Sequence, residues 1–350
     1  MGRKRFRVAV LGATGMVGQW LVHLLDRHPW FQVVALTGSD RSVGRPYGEA
    51  CRWLLSAPMP PWAASMIVQP TEPGFEADLV LSALPSEIAR EVEPRFAAAG
   101  YLVASNASAY RMASDVPLVM PDVNPDHLDL LSRQREIRGW SGALLTNPNC
   151  TTTAVVLPLK ALMPYGVRRA HLVSLQALSG AGYPGVPALE IVDNILPYIA
   201  GEEEKLEREP RKLLGRLANG AVREADLALS AQTNRVPTLD GHLVCLSVEL
   251  AERISPEAAM RAMAAYRPPE EVADLPSAVP QPIVVRTEPD RPQPRLDRMA
   301  GGGMSVVVGR VQPCPVFTLK FVALTHNTIR GAAGAALFNA EAALRWAGRV

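Results

Sequence analysis

The first 150 residues alternate short apolar runs with amphipathic stretches, and glycines or prolines mark most of the changes. Phe6–Leu11 (FRVAVL) is a β-branched run that stops at a glycine turn. Val17, Leu21, Leu24 and Leu25 then recur at helical spacing, which predicts a strand, a tight turn and a helix. Residues 33–37, 78–84 (DLVLSAL) and 101–105 predict further strands, and 86–99 predicts a helix. This order predicts an α/β fold with a Rossmann-like, doubly wound parallel sheet.

After about Asn147 the pattern changes. Residues 170–178, 243–250, 304–311 and 316–324 form longer, more strictly alternating runs, with helical patterns at 151–163 and 255–266. They predict an α+β domain with a mostly antiparallel sheet. The Ala-rich stretch 329–346 reads as a helix returning to the first domain. The expected division is 1–149 and 150–328, with a C-terminal helix at about 329–350 that rejoins the first part.

Composition narrows the function classes. A chain of 350 residues, 48% hydrophobic and 20% charged, can bury two ordinary cores. Its net charge of +2 gives no reason to expect a nucleic-acid or membrane partner. Residues 1–7 do not have the form of a signal peptide, and no apolar run approaches the ~18 residues of a membrane helix. Cys51, Cys150, Cys245 and Cys314 are scattered without a CxxC pair, which argues against a zinc site or a disulfide scaffold. The expectation is a soluble cytoplasmic protein with reduced thiols and no metal.

The glycine turn carries the first chemistry. In GATGMVG, Gly12, Gly15 and Gly18 permit a tight turn, close approach to a pyrophosphate and close helix packing. Thr14, Met16 and Val17 complete a helix start whose free N–H groups bind an anion. The second strand lacks the terminal acidic residue that holds a free ribose. Ser39, Arg41 and Ser42 follow it instead and suit a 2′-phosphate, with Asp40 the one dissenting neighbour. The cofactor expected is NADP(H).

Cys150 lies in LLTNPNCTTTAVVLPLKAL, after a strand-like run and a proline turn. The pattern puts it in the first turn of a helix capped by Asn149, where the dipole and free N–H groups lower a thiol pKa. Those N–H groups would also receive an oxyanion. The position predicts a nucleophile that an alkylating agent finds first. Cys51, Cys245 and Cys314 lack this setting and are expected to be small buried hydrophobes.

Cys150 also belongs to a longer series. NPNCTTT, SGAGYPGVPALEIVDNILPYI, GEEEKLEREP, NRVPTLDGH, RPQPRLDRMAGGGM and HNTIRGAAGAA follow one another in order, and the chain resembles the archaeal and fungal branch of the aspartate-semialdehyde dehydrogenases from about Phe6 to its end. The related N-acetylglutamyl-phosphate reductases read NPGCYPT at the cysteine, which NPNCTTT does not match. The resemblance implies an NADP-binding Rossmann domain joined to a catalytic and dimerisation domain. It implies reduction of aspartyl-4-phosphate by NADPH, with release of phosphate, through a thioester on Cys150. It implies His242 as the acid/base, titrating near neutral pH and relieving Cys150 of its proton. Gln176 would orient the acyl group, Arg235 would grip the substrate carboxylate, and Glu202 would hold its amine. Lys205 and Arg111 would hold phosphate, and Asn149 would line the substrate site. Asn327, Ser82, Ala83, Pro85, Asn106, Ser179 and Gly180 resemble cofactor contacts.

Two of these assignments run against the residues read alone. The run EEEK reads as a solvated helix face, and which of its glutamates carries the role is open to one position. On one regular strand Arg235 and His242 would point to opposite faces, although Pro237 and Gly241 interrupt such a strand. The resemblance implies a homodimer or homotetramer. It also leaves an alternative, since some relatives in this branch reduce malonyl-CoA with the same cysteine and NADPH. A non-catalytic dinucleotide sensor would keep GATGMVG but would not need Cys150, Gln176, Arg235 and His242 together.

Overall fold

The computed structural model describes residues 5–350, so Met1 to Lys4, within the stretch inspected for a signal peptide, lie outside it. Strand β1 (Phe6–Leu11) leads through the glycine turn into helix α1 (Met16–Leu25) and strand β2 (Phe31–Leu36). Strand β3 (Leu79–Ser82), helix α2 (Ser86–Ala98), strand β4 (Leu102–Ser105), helix α3 (Leu130–Arg138) and strand β5 (Ala143–Thr146) complete a five-stranded sheet of order β2-β1-β3-β4-β5. Every pairing in it is parallel. The strands are apolar because helices cover both faces, and β3 and β5 are buried throughout.

Helix α4 (Thr152–Leu162) is apolar on nearly all sides and buried, as a helix must be when it sits inside a core. Strand β6 (Val167–Gln176), helix α5 (Glu202–Leu213), strands β7 (Ala228–Arg235) and β8 (His242–Leu250) and helix α6 (Pro256–Ala265) follow. Ser255 caps α6 by accepting the Ala258 N–H at 3.2 Å. Strands β9 (Ile283–Val285), β10 (Val306–Pro313) and β11 (Leu319–Thr325) finish a six-stranded sheet of order β9-β10-β11-β8-β6-β7. Its three central pairings are antiparallel and its two outer ones parallel. Helix α7 (Gly334–Trp346) packs into the core of the first sheet, where Ala336, Leu337 and Phe338 meet Val8, Val10 and Leu79. Among the described residues, no helix is long and apolar enough to cross a membrane.

Register positions the chemistry. Gln176 at the end of β6 pairs with Arg235 at the end of β7. Leu243 pairs with Leu175, so His242 stands beside Gln176 on the other flank, and His242 pairs with Thr325. Arg235, Gln176, His242 and Thr325 therefore form one row across the end of the second sheet.

Candidate active site

Loops leaving the carboxyl ends of the parallel strands meet this row, the usual place for a ligand in such a sheet. The loop after β5 brings Cys150. Its helix begins at Thr152, two residues later than the cysteine rather than around it. Asn149 still caps the turn, since its Oδ1 accepts the Thr151 N–H at 2.9 Å. Thr153 donates to the Cys150 carbonyl at 2.9 Å and lies 3.1 Å from the Thr325 hydroxyl. Gly331 presses on the other side, where an added Cβ would sit 2.6 Å from the Cys150 Cβ.

The expected low thiol pKa is not what this environment produces. Burial pushes the Cys150 thiol up to about 12, and the Glu202 carboxylate adds to the rise. Arg111, Arg235 and the nearby Thr151 pull the other way without prevailing. A helix start acting across two residues is weaker than direct desolvation. The other cysteines also correct the expectation. Cys51 is buried, but Cys245 is exposed and Cys314 half-buried, because Cys245 points to the outer face of β8.

Of the three glutamates in EEEK, Glu202 is the buried one. It is 7% exposed and accepts both Asn149 Nδ2 contacts, at 3.0 and 2.8 Å, and the Lys205 ammonium at 2.7 Å. The Gln176 amide reaches it at 3.4 Å. Glu203 instead receives the Thr233 N–H, and Glu204 pairs with Arg208 at the surface. The helix face is thus solvated at Glu204 and turned inward, against Asn149 and Gln176, at Glu202.

His242 is fully buried, and Ala177 N–H donates to its Nδ1 at 3.0 Å. A nitrogen that accepts carries no proton, so the neutral ring holds its proton on Nε2. Nε2 is buried with no partner and faces the space beside Gly180, where a Cβ would meet it at 2.9 Å. Burial, then Arg235 and His326, push the imidazole down to about 3. The expected titration near neutral pH is therefore corrected, because a desolvated ring beside the Arg235 cation resists a proton. Arg235 donates to the Ala177 carbonyl at 2.8 Å. Arg235 and His242 sit on different strands, which removes the opposite-face objection.

Arg111, in the loop after β4, donates to Glu209 at 3.0 Å and to the Asn106 carbonyl at 2.7 Å, leaving Nε buried and unpartnered. Sequence reasoning missed Glu209, Ala177, Thr153 and Gly331. Only Glu209 had a signal, seven residues beyond Glu202 and so on the same helix face.

The glycine turn after β1 has the build of a dinucleotide cradle. Gly12 has φ +69°, and a Cβ there would strike the Ala83 carbonyl at 2.9 Å, so the turn needs glycine; it closes with the Gly15 N–H on the Gly12 carbonyl at 3.1 Å and leaves the start of α1 open at Met16 and Val17. Thr37 accepts the Ala13 N–H at 2.9 Å, and the Thr14 carbonyl accepts Gln19 at 3.0 Å. Ser39, Asp40 and Arg41 are exposed, with Ser42 buried behind them. Ser82 Oγ is buried beside the Glu93 carboxyl, and Asn147 Oδ1 is buried without a partner; Ala83 and Pro85 follow Ser82 in the loop after β3. Asn106 donates to the Ser82 carbonyl at 2.8 Å, and Asn327 joins Ser179 to the Gly241 N–H, both at 2.8 Å.

Comparison with known proteins gives the family. Residues 7–131 match the semialdehyde dehydrogenase NAD binding domain and residues 158–330 match the semialdehyde dehydrogenase dimerisation domain. An aspartate-semialdehyde dehydrogenase from Archaeoglobus fulgidus is 53% identical over 338 residues, covering 96% of this chain and 97% of that protein. The chain belongs to the aspartate-semialdehyde dehydrogenase family. A crystal structure of aspartate-semialdehyde dehydrogenase with NADP from Candida albicans superposes with a TM-score of 0.90 at 39% identity, covering 99% of this chain and 100% of that one. A malonyl CoA reductase (NADP) from Metallosphaera sedula is 38% identical over 346 residues, 97% of each chain. As a member of the aspartate-semialdehyde dehydrogenase family the chain is an oxidoreductase.

Proposed function

We propose that this chain reduces L-aspartyl-4-phosphate to L-aspartate 4-semialdehyde with release of phosphate, using NADPH and a Cys150 thioester. The step serves biosynthesis of lysine, threonine, methionine and isoleucine. The observation that carries this reading is that one carboxylate and two guanidinium groups surround the Cys150 turn: Glu202 accepts the Asn149 amide at 3.0 and 2.8 Å, Glu209 ties Arg111 to the Asn149 N–H, and Arg235 stands beside His242 at Gly180. That set complements an ammonium, a carboxylate and a phosphate on one small substrate.

Arg235 offers a fork for the α-carboxylate, Glu202 takes the ammonium, and Arg111 with Lys205 takes the phosphate. Gln176 lies beside the acyl group and orients it. A substrate ammonium on Glu202 offsets the charge that opposes the thiolate, so ionisation follows binding. The thiol proton passes to the departing phosphate, the sulfur bonds to the acyl carbon, and the bond from that carbon to the bridging phosphate oxygen breaks. His242 donates through Nε2 toward the acyl oxygen, and its proton lies where an oxyanion there would collect it. The Gly12–Val17 turn with Ser39, Arg41 and Ser42 would hold NADPH, which would supply the hydride. Cleavage of the carbon–sulfur bond frees the aldehyde and restores the thiolate. The matched dimerisation domain supports a homodimer or homotetramer.

The test compares NADP reduction by aspartate semialdehyde plus phosphate with NADPH oxidation by malonyl-CoA. Phosphate-dependent turnover that disappears in Cys150→Ala is the expected result. Turnover of malonyl-CoA without any use of phosphate overturns the substrate.

A further inference from the structure

Helix α5 lays Glu202, Lys205, Glu209 and Lys212 along one face, at helical offsets of three and four. Glu209 and Lys212 are 2% and 4% exposed, a depth at which such residues occur only when fully partnered. The Lys212 ammonium donates to the carbonyls of Arg111, Ala113 and Val116, each at 2.8 Å, and so holds the loop that carries Arg111. Glu209 reaches further. Its Oε1 accepts Arg111 Nη1 at 3.0 Å, while its Oε2 accepts the Asn149 N–H at 2.6 Å and the Thr152 hydroxyl at 3.2 Å.

We propose that Glu209 is a positioning residue that holds Arg111 and the Cys150 turn in one register, an inference that rests on the reaction proposed above. A single carboxylate ties the guanidinium meant for phosphate to the backbone one residue before the nucleophile. Any shift of that carboxylate moves the attacking sulfur and the group that receives the leaving phosphate relative to each other. An ion pair serving stability alone would have no reason to include the Asn149 N–H. A glutamine of the same shape cannot replace it. Its one oxygen satisfies either Arg111 or Asn149, and its amide N–H groups then confront the remaining donor.

The experiment uses full-length Glu209→Gln, assayed in the reverse direction with aspartate semialdehyde, phosphate and NADP. The expected result is a fall in kcat of about 10- to 100-fold, the scale of a misplacement near 1 Å. The KM for phosphate is expected to rise at least about fivefold, with the KM for the aldehyde and the Kd for NADP nearly unchanged. In an Arg111→Gln background the same change should no longer move the phosphate KM, because its route through Arg111 is gone. Normal kcat and KM values in a folded Glu209→Gln protein, or an equal phosphate effect in both backgrounds, overturn the proposal. If Glu209→Gln does not fold, Thr152→Val removes one of the three bonds at constant volume. It should lower kcat about two- to fivefold, on the scale of one lost hydrogen bond, and an unchanged kcat overturns the role. Failure of the reaction itself is read separately, from wild-type turnover that ignores phosphate or from an active Cys150→Ala. A normal Glu209→Gln beside an inactive Cys150→Ala overturns only the positioning role.

Discussion

The side-chain amide of Asn149 donates to both carboxylate oxygens of Glu202, at 3.0 and 2.8 Å. The residue before the nucleophile is thereby tied to the carboxylate that, after burial, most opposes its ionisation. Glu202 both holds the turn and, after burial, pushes the thiol up.

Alkylation should report this directly. In the free protein Cys314, not Cys150, is expected to react first with iodoacetamide. Burial works against the Cys314 thiolate, but Phe317 and Val316 N–H groups outweigh it and lower the thiol. Glu202→Gln removes a cause of the Cys150 elevation and should speed its alkylation, by up to about tenfold for one pKa unit, while turnover falls. Peptide mapping of the labelled cysteines checks both statements. Preferential labelling of Cys150 in the free wild type would contradict them.

Gly331→Ala is expected to disable the enzyme without unloading it. The new Cβ would lie 2.6 Å from the Cys150 Cβ and 2.8 Å from its Cα, so the nucleophile must move. A displacement of that kind costs about 100-fold in kcat. The Kd for NADP, measured by fluorescence, should stay within a factor of two or so.

Glu93 gives stability a pH dependence. Burial raises its carboxyl from the ordinary 4.5 to about 7, against the opposing pull of Ser105, Ser82 and Arg111. Between those values the folded protein holds a proton that the unfolded chain releases, so its contribution declines as pH rises from about 4.5 through 7. Glutamine stays neutral throughout. Glu93→Gln should therefore be near neutral in effect at pH 5 and stabilising by up to about 3 kcal/mol at pH 8, read from urea unfolding at the two values. Equal effects at both would show that Glu93 titrates normally.

Arg41 is exposed, and its contact with a 2′-phosphate would be partly screened by water. Arg41→Ala should weaken NADPH by about 1 kcal/mol, roughly fivefold in Kd, and leave NADH unchanged. Titration with each cofactor separates this from a general loss of binding, in which both would weaken alike.

Local pattern alone determined much of this protein. Apolar runs and a glycine turn specify β1, α1 and β3 within a few residues, because backbone geometry and burial of a strand act over short distances. The turn after β5 marked Cys150 for the same reason. Strand β7 escaped notice, since ALSAQTNR is polar and lies at the edge of its sheet, where little apolar surface needs covering. Tertiary structure decided the rest. That Arg235, Gln176 and His242 stand in one row is a matter of strand register, and no spacing along the chain encodes it. That Glu202 faces the thiol while Glu204 faces solvent depends on how α5 is docked. The proton affinities of Cys150 and His242 reversed the expectation because they follow from desolvation and charges brought from distant segments, which exist only once the chain has folded.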